Sequence, residues 1–322
     1  MAIYARLDRN TVEALACQFG IEGVTAFSNM EGGAENTSYR VETKSEKYVL
    51  TLCDQKTFAQ ASNLVNLLVH LTDHDVCTSR VVVPPGDSNV VLYDEKPVML
   101  KHYIEGNFTA NLSGNILFQL GEEIAQLHKV PAPSYLPQSF PYGRNYFSDV
   151  TDSNLDHTYI EWLSEKNSYL EKHIPANLPL ALIHGDVFFD NVIVREDQLI
   201  AIIDFEEACH YYRCFDLGML IVGACSDHEG VSFDKAARFI SGYQKETTLQ
   251  PIEQETLKIF AVYAAVATSF WRFRQYHLIR PNPQMYEKHV EMQRLADIIS
   301  ACPNSRFMEL FEIGRASCRE RV

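Results

Sequence analysis

The sequence predicts an α+β protein with a β-rich amino-terminal part and a mainly helical carboxy-terminal part. Over the first hundred residues, short segments of strand-like composition alternate with turns such as Pro85-Gly86-Asp87. After Glu105-Gly106, apolar residues recur instead at the three- and four-residue spacing of amphipathic helices. We therefore expect two regions, 1–103 and 104–311, joined by a hinge near 101–106.

The individual elements follow from composition and period. Segments rich in Val, Thr, Tyr and Leu predict strands over 25–30, 37–42, 48–52, 80–83, 90–93 and 97–103. Helical spacing of apolar residues predicts helices over 8–19 and 58–71 in the first region. In the second region it predicts helices over 116–128, 159–172, 234–244, 252–275 and 285–300.

Composition restricts the class of protein. Among 322 residues 46% are hydrophobic and 22% are charged, and no apolar run reaches the roughly 20 residues that span a bilayer. The net charge of −14 argues against a nucleic-acid partner, because phosphate backbones bind basic surfaces. The eight cysteines have no zinc-ligand spacing, and the amino terminus lacks the apolar core of a secretory signal. We expect a cytoplasmic protein with reduced thiols and no membrane or nucleic-acid partner.

The last ten residues, IGRASCRERV (313–322), read as a translated sequencing adapter joined in frame to the gene. We therefore expect the segment 312–322 to be a non-native tail without evolved contacts. The alternative is a genuine basic tail.

The stretch IHGDVFFDNVIVREDQLIAIIDF (183–205) carries the candidate catalytic residues. Asp186 and Asn191 lie five residues apart, the offset of the protein-kinase catalytic loop. Phosphoryl transfer from ATP needs a carboxylate that takes a hydroxyl proton, and an Asn and a second carboxylate that hold Mg²⁺. The alternative is a surface loop with scattered carboxylates.

The second carboxylate is predicted to come from a hairpin. A strand over 192–194, a polar turn over 195–198 and a returning strand over 199–203 would bring Asp204 back beside Asn191. Both side chains offer oxygen ligands for a hard cation. The hairpin therefore favours the catalytic interpretation over the surface loop.

Several strings resemble the aminoglycoside phosphotransferase and choline kinase superfamily, which has a two-lobed, protein-kinase-like fold. They are GGAENTSYRVET (32–43), YVLTL (48–52), LGEEIAQLHKVPAP (120–133) and IHGDVFFDNV (183–192). Within that superfamily the chain looks most like the type II homoserine kinase group. The resemblance implies a kinase that uses ATP and Mg²⁺ to phosphorylate a small molecule with a hydroxyl and an amine, most simply L-homoserine. FEEACHYYRCFDLG (205–218) is closer to choline and ethanolamine kinases, which are the alternative.

The resemblance also implies roles for single residues. Asp186 would be the catalytic base, and Asn191 and Asp204 would hold Mg²⁺. His184 is expected to bond backbone near the Asp204 turn, and Asp216 is expected to support the catalytic loop.

Nucleotide contacts are expected from the first region. A turn at a Gly-Gly pair lets backbone amides approach phosphate, and the hinge would meet the adenine. The candidates for phosphate are Gly32, Gly33, Asn36 and Ser38, and those for adenine are Tyr103 and Ile104.

One feature departs from the kinase pattern. Thr51 stands where the strand would end in a phosphate-contacting Lys, and the helix over 58–71 offers no Glu to pair with such a Lys. Lys47, Lys56 and Arg40 are nearby, and each is predicted to be a solvated charge. The missing Lys leaves a nucleotide-binding pseudokinase as a non-enzymatic alternative.

The acceptor site is sought in two places. Glu206 and Glu207 could receive an amine, as could Trp271 and Tyr276 by cation–π contact. Arg272 or Arg274 could receive a carboxylate, which only homoserine among these acceptors carries. The alternative for the segment 268–283 is that its aromatic residues are core and its arginines cap neighbouring elements.

Overall fold

A computed structural model describes residues 7–30, 36–153 and 155–319, with side chains through Glu312. By its internal contacts the chain divides into two units. The first contains Met1–Gly106 together with Ile200–Glu206, and the second contains Asn107–Leu199 and Glu207–Val322. The segment that carries Asp204 and Glu206 thus belongs to the first unit, whereas the predicted division at residue 103 placed it in the second region.

The first unit is built on an antiparallel sheet. Its strands are β1 (Ala26–Asn29), β2 (Thr37–Glu42), β3 (Lys47–Leu52), β4 (Val81–Val82), β5 (Val91–Tyr93) and β6 (Lys96–His102). Their order is β1-β2-β3-β6-β4, with β5 paired to β6. All six were predicted, close to these bounds. In the β2–β3 register Ser38 lies opposite Thr51.

Two helices cover this sheet's apolar residues. Helix α1 (Arg9–Gln18) buries Val12 and Leu15 in one cluster with Leu50 of β3 and Leu100 of β6. Helix α2 (Phe58–Asp73) starts at a capping box of Thr57 and Gln60 and packs on β6 through a leucine-rich face. Both helices confirm the predicted amphipathic spacing.

The second unit is mainly helical. Its helices are α3 (Gly114–Leu127), α4 (Ser148–Thr151), α5 (His157–His173), α6 (Cys214–Ala224), α7 (Phe233–Glu246), α8 (Pro251–Phe273), α9 (Lys288–Ala301) and α10 (Asn304–Arg319). Its short strands pair as β7 (Leu180–Ile183) with β10 (Cys209–Tyr212), and as β11 (Ser226–Asp227) with β12 (Gly230–Val231).

The predicted hairpin is present. Strands β8 (Val192–Arg195) and β9 (Gln198–Ile202) form a two-stranded sheet. The intervening residues Glu196 and Asp197 have φ of 50° and 60°. Positive φ at both central residues is typical of the tight hairpin turns that match strand twist. The Asn115 side chain at the start of α3 donates to the Asp197 carbonyl at 2.9 Å and fixes the tip of the hairpin.

Helix α6 was not predicted. All its residues are buried, so its sequence CFDLGMLIVGA has no polar face and no amphipathic period. It packs on α8 so closely that a Cβ at Gly218 would lie 2.4 Å from the Phe260 carbonyl oxygen. This contact positions Asp216, in the first turn of the helix.

The carboxy-terminal region differs from prediction at its helix ends. Helix α8 stops at Phe273 and continues as a π-helical turn, Arg274–Ile279, and α9 begins only at Lys288, after the turn Pro283–Met285. Helix α10 was not predicted. It buries Phe307 and Leu310 and extends into the suspected tail. The structure describes no side chains after Glu312, so the expectation that the tail makes no evolved contacts stays a prediction. No helix within the described ranges combines the length and apolarity needed to cross a membrane.

Candidate active site

The candidate catalytic loop connects two buried strands, β7 and β8. His184, Gly185 and Asp186 follow β7, which is held in antiparallel register with β10 at the pair Ile183 and Cys209. A single 3-10 turn, Phe189–Asn191, then connects the loop to β8. Because both flanking strands are anchored in the core, the ends of the loop are fixed by packing.

The structure brings Asp186 and Asn191 together. The Asn191 side-chain nitrogen donates to the Asp186 carbonyl oxygen at 2.8 Å and to its carboxylate Oδ2 at 3.2 Å. Asn191 is 9% exposed, and Asp186 is half-buried. The two bonds use the amide nitrogen, so they assign the Asn191 carbonyl oxygen as the atom that can face a cation.

Asp216 holds the backbone of the loop, as predicted. Its fully buried carboxylate accepts from the His184 N–H at 2.7 Å and from the Gly185 N–H at 2.8 Å. Gly185 has φ of 86°, and a Cβ there would lie 2.7 Å from the Glu207 carbonyl oxygen. Only glycine fits this position without strain. His184 also accepts a hydrogen bond within the loop, from the Asp186 N–H to its Nδ1 at 3.2 Å. Its expected bond to backbone near the Asp204 turn stays a prediction.

Two further groups around Asp216 were not predicted. His128 Nε2 lies 3.1 Å from Asp216 Oδ2, and His128 Nδ1 lies 2.8 Å from the Tyr243 hydroxyl. The chain of contacts links α3, α6 and α7 to the catalytic loop. His128 was present in the string LGEEIAQLHKVPAP, but its spacing from Asp216 gives no local signal.

Tyr142 is a second unpredicted contact of the loop. Its buried hydroxyl donates to the Gly185 carbonyl oxygen. Burial raises the pKa of Tyr142 well above its ordinary value, and the negative charges of Asp186, Glu207 and Asp216 raise it further. The electrostatic potential around the loop is therefore negative, which favours a cationic group on a bound molecule.

The predicted metal ligands come from both units. Asp204 follows β9 in the first unit and has φ of 69°, a conformation that Asp and Asn tolerate better than most side chains. Asn191 belongs to the second unit, so a shared Mg²⁺ stays a prediction. Among the described residues no cluster of three or more His, Cys, Asp or Glu could hold a metal. One carboxylate and one amide oxygen still fit Mg²⁺, which commonly takes its other ligands from water and phosphates.

Only some of the residues that were predicted to contact phosphate are described by the structure, and their role stays a prediction. Gly32 and Gly33 lie outside the described residues. Asn36 donates from Nδ2 to Glu206 Oε1 at 2.6 Å. The Ser38 hydroxyl lies 3.2 Å from that of Thr51, so the residue at the position expected for Lys is engaged with the neighbouring strand.

The prediction that Lys56 is solvated was wrong. Its Nζ pairs with Glu206 Oε2 at 2.9 Å, and the two side chains are only 17% and 14% exposed. Lys47 pairs with Glu105 and Arg40 with Glu42, and these pairs are considerably more exposed. The helix after β3 supplies no Glu, and the partner comes instead from far along the sequence.

The hinge residues are only partly available for adenine. The Tyr103 N–H donates to the Lys47 carbonyl oxygen at 2.9 Å and extends the sheet. This bond uses only the Tyr103 N–H, so the contact of adenine with backbone at Tyr103 and Ile104 stays a prediction.

The predicted acceptor residues are engaged by other protein groups. Arg272 donates to Glu291 at 2.7 Å and to the Lys288 carbonyl oxygen at 3.1 Å, while Arg274 pairs with Asp149 at 2.8 Å. Glu206 pairs with Lys56, as described above. Roles of these residues in substrate binding stay predictions.

Phe270, Phe273 and His277 follow the core alternative, and the cation–π role of Trp271 and Tyr276 stays a prediction. Phe270 and Phe273 are fully buried, and His277 is stacked between Phe273 and Tyr286. Trp271 meets Tyr276 edge-on, with ring centroids 6.1 Å apart.

The chain is similar to several known proteins, both in sequence and in fold. A homoserine kinase of Bartonella henselae is 24% identical over 83% of this chain and 86% of its own length. One from Parvibaculum lavamentivorans is 24% identical over 89% and 92%. The structure of a microcompartment-associated aminopropanol kinase has a TM-score of 0.71 at 17% identity, covering 94% of this chain and all of its own.

Other solved structures share the fold at similar distance. Spectinomycin phosphotransferase, in complex with ADP and spectinomycin, has a TM-score of 0.64 at 17% identity and covers 96% of this chain and 98% of its own. A choline/ethanolamine kinase family protein from Mesorhizobium loti has a TM-score of 0.65 at 19% identity, covering 93% and 98%. The fold is thus α+β and protein-kinase-like, as predicted.

Residues 27–248, more than half of the chain, match the phosphotransferase enzyme family APH. The chain therefore belongs to this family, and the protein is an ATP-dependent kinase that acts on an alcohol group of a small molecule.

Proposed function

We propose that this protein transfers the γ-phosphoryl group of ATP to the side-chain hydroxyl of L-homoserine. The observation that carries the proposal is the bonded pair of Asp186 and Asn191 in a loop that Asp216 fixes. The homoserine kinases named above match this chain over most of their length, and they support the choice of acceptor.

In the proposed reaction Asp186 orients the homoserine hydroxyl and takes its proton. The hydroxyl oxygen forms a bond to the γ-phosphorus, the bond from that phosphorus to the β-phosphate oxygen breaks, and ADP leaves. Asn191, through its carbonyl oxygen, and Asp204 would hold Mg²⁺, which neutralises charge on the phosphates when bound. An alcohol has a pKa far above 7, so most of the rate comes from alignment and charge stabilisation.

The ammonium group of the acceptor suits the charge around the loop. Asp186 and Glu207 both act on the buried hydroxyl of Tyr142. A cation near these carboxylates would be attracted to them, whichever amino alcohol carries it.

The carboxylate of homoserine needs a separate partner. Arg272 and Arg274 are the candidates, and each would exchange an existing carboxylate, Glu291 or Asp149, for that of the substrate. Such an exchange keeps the guanidinium paired in both states. The displaced carboxylate, Glu291 or Asp149, is exposed, so water can solvate its charge.

A release assay for ADP with purified protein and Mg·ATP tests the acceptor. We expect L-homoserine to exceed choline, ethanolamine and aminopropanol in kcat/KM by at least about tenfold, a difference in activation free energy of about 1.4 kcal/mol. Arg272→Ala or Arg274→Ala should raise the KM for homoserine while ATP affinity stays the same. A higher kcat/KM for choline or ethanolamine would overturn the assignment of homoserine as the acceptor. The assignment of the protein as a kinase would stand.

An amino-alcohol kinase is the second candidate. The string FEEACHYYRCFDLG favours it, and so does the aminopropanol kinase structure. Such an acceptor has no carboxylate, so Arg272→Ala and Arg274→Ala should then leave its KM unchanged. Binding of ADP without turnover of any acceptor would favour a pseudokinase.

A further inference from the structure

We propose that Lys56, held by Glu206, is the cation that binds the nucleotide phosphates in place of the Lys missing at Thr51. The inference rests on the proposed function, since it presupposes that ATP binds. In the kinase pattern the phosphate-binding Lys lies on strand β3 and its Glu partner on the following helix. Lys56 and Glu206 lie outside both elements.

The usual position is chemically unsuitable in this chain. Thr51 has no charge, is 2% exposed and lies with its hydroxyl 3.2 Å from that of Ser38. The phosphates of bound ATP carry several negative charges, and a nearby cation is needed to offset them. Another residue of the first unit should therefore supply the charge.

Lys56 is more buried than three other cations that lie near β2 and β3. Its side chain is 17% exposed, compared with 40% for Lys47, 40% for Lys96 and 36% for Arg40. Keeping an ammonium group away from water costs free energy, which Glu206 at 2.9 Å offsets. The same low-dielectric surroundings strengthen its attraction to a phosphate.

The pair lies close in sequence or by hydrogen bonding to residues that were predicted to bind phosphate or Mg²⁺, namely Asn36 and Asp204. Lys56 follows β3 after a short loop, and Glu206 lies two residues after Asp204. Asn36 lies directly before β2, in the segment that was predicted to contact phosphate, and donates to Glu206 at 2.6 Å. Glu206 is therefore a positioning residue that holds Lys56 and Asn36 together.

Isothermal titration calorimetry with ADP and with adenosine tests the inference without relying on turnover. We expect Lys56→Met to weaken ADP binding at least tenfold while adenosine affinity changes less than twofold, because only ADP carries phosphates. Lys56→Arg should retain most of the ADP affinity, because it keeps the positive charge.

Two further variants control for folding and for charge in general. Lys56→Met leaves Glu206 buried without its cation, so the double variant Lys56→Met/Glu206→Gln removes both charges and should show the same selective loss for ADP. Lys96→Met breaks the comparable ion pair with Asp54 in the same unit and should leave ADP affinity within twofold.

The outcomes separate this inference from the proposed function. If the wild type binds ADP and both Lys56→Met variants bind it within twofold as tightly, Lys56 is not the phosphate cation and the kinase proposal stands. An equal loss of adenosine and ADP affinity would also overturn the inference, since it would indicate a structural role. A wild type that binds neither ATP nor ADP would overturn both proposals.

Discussion

The Asn191 side chain donates its amide to both the carbonyl oxygen and the carboxylate of Asp186, at 2.8 and 3.2 Å. One amide thus sets the rotamer of the proposed base and, at the same time, the direction of its own carbonyl oxygen. The proposed base and the proposed metal ligand are therefore oriented by the same pair of hydrogen bonds. Any change at Asp186 is therefore best made isosteric, so that this geometry is kept.

Asp186→Asn should lower kcat for phosphoryl transfer at least about a hundredfold, because a positioned base contributes about 10²–10⁴-fold. The affinity for ADP and the melting temperature should stay close to the wild-type values. Steady-state kinetics and calorimetry measure both. Turnover within a few-fold of wild type would remove Asp186 from the mechanism.

Asp204→Asn is the informative change at the second metal ligand. Asn tolerates the φ of 69° at this position nearly as well as Asp, so the fold should be retained. Loss of the carboxylate should raise the Mg²⁺ concentration needed for half-maximal turnover at least about tenfold, since it removes an anionic oxygen ligand. A Mg²⁺ titration of the rate measures this. An unchanged titration curve would show that Asp204 is not a ligand.

Asp216→Asn should destabilise the protein by about 3 kcal/mol. The new amide cannot accept from both the His184 and the Gly185 N–H groups, and each buried group left without a partner costs about 1–3 kcal/mol. Urea unfolding of the variant and the wild type measures this difference in the free energy of unfolding.

Tyr243→Phe is the matched control for the same network. It removes one bond, to His128, and should cost only about 1 kcal/mol. Equal costs for the two variants would contradict the central role given to Asp216.

Stability should fall at alkaline pH because of buried tyrosines. Burial raises the pKa of Tyr142, Tyr159, Tyr243 and Tyr263 above the ordinary value of 10. Above pH 10 the unfolded chain loses these protons while the folded chain keeps them, so the folded state binds more protons. The free energy of unfolding should then decrease by about 1.4 kcal/mol per pH unit for each such group.

Absorbance at 295 nm, recorded with circular dichroism from pH 9 to 12, measures this effect. The exposed tyrosines should ionise first, and the buried ones should ionise together with unfolding. Complete ionisation of all tyrosines near pH 10, with the fold intact, would contradict the prediction.

The sequence by itself determined the elements whose signals are local. Alternation and turn residues identified the strands of the first sheet, and amphipathic spacing identified helices such as α2 and α3. The five-residue offset of Asp186 and Asn191, followed by a hairpin, predicted the hydrogen-bonded pair of the candidate catalytic loop, because that geometry is built from residues close in the chain. The same reasoning missed α6, since a helix buried on every side has no polar face to reveal its period.

Only the tertiary structure decided which distant charges and polar groups meet. Lys56 and Glu206 are 150 residues apart, and His128 and Asp216 are 88 apart, so no local pattern could pair them. Arg272 and Arg274 looked available in sequence, yet each has a carboxylate partner on another segment. A buried charge must be compensated wherever the fold brings a partner near, and that choice depends on packing between elements instead of on the order of residues.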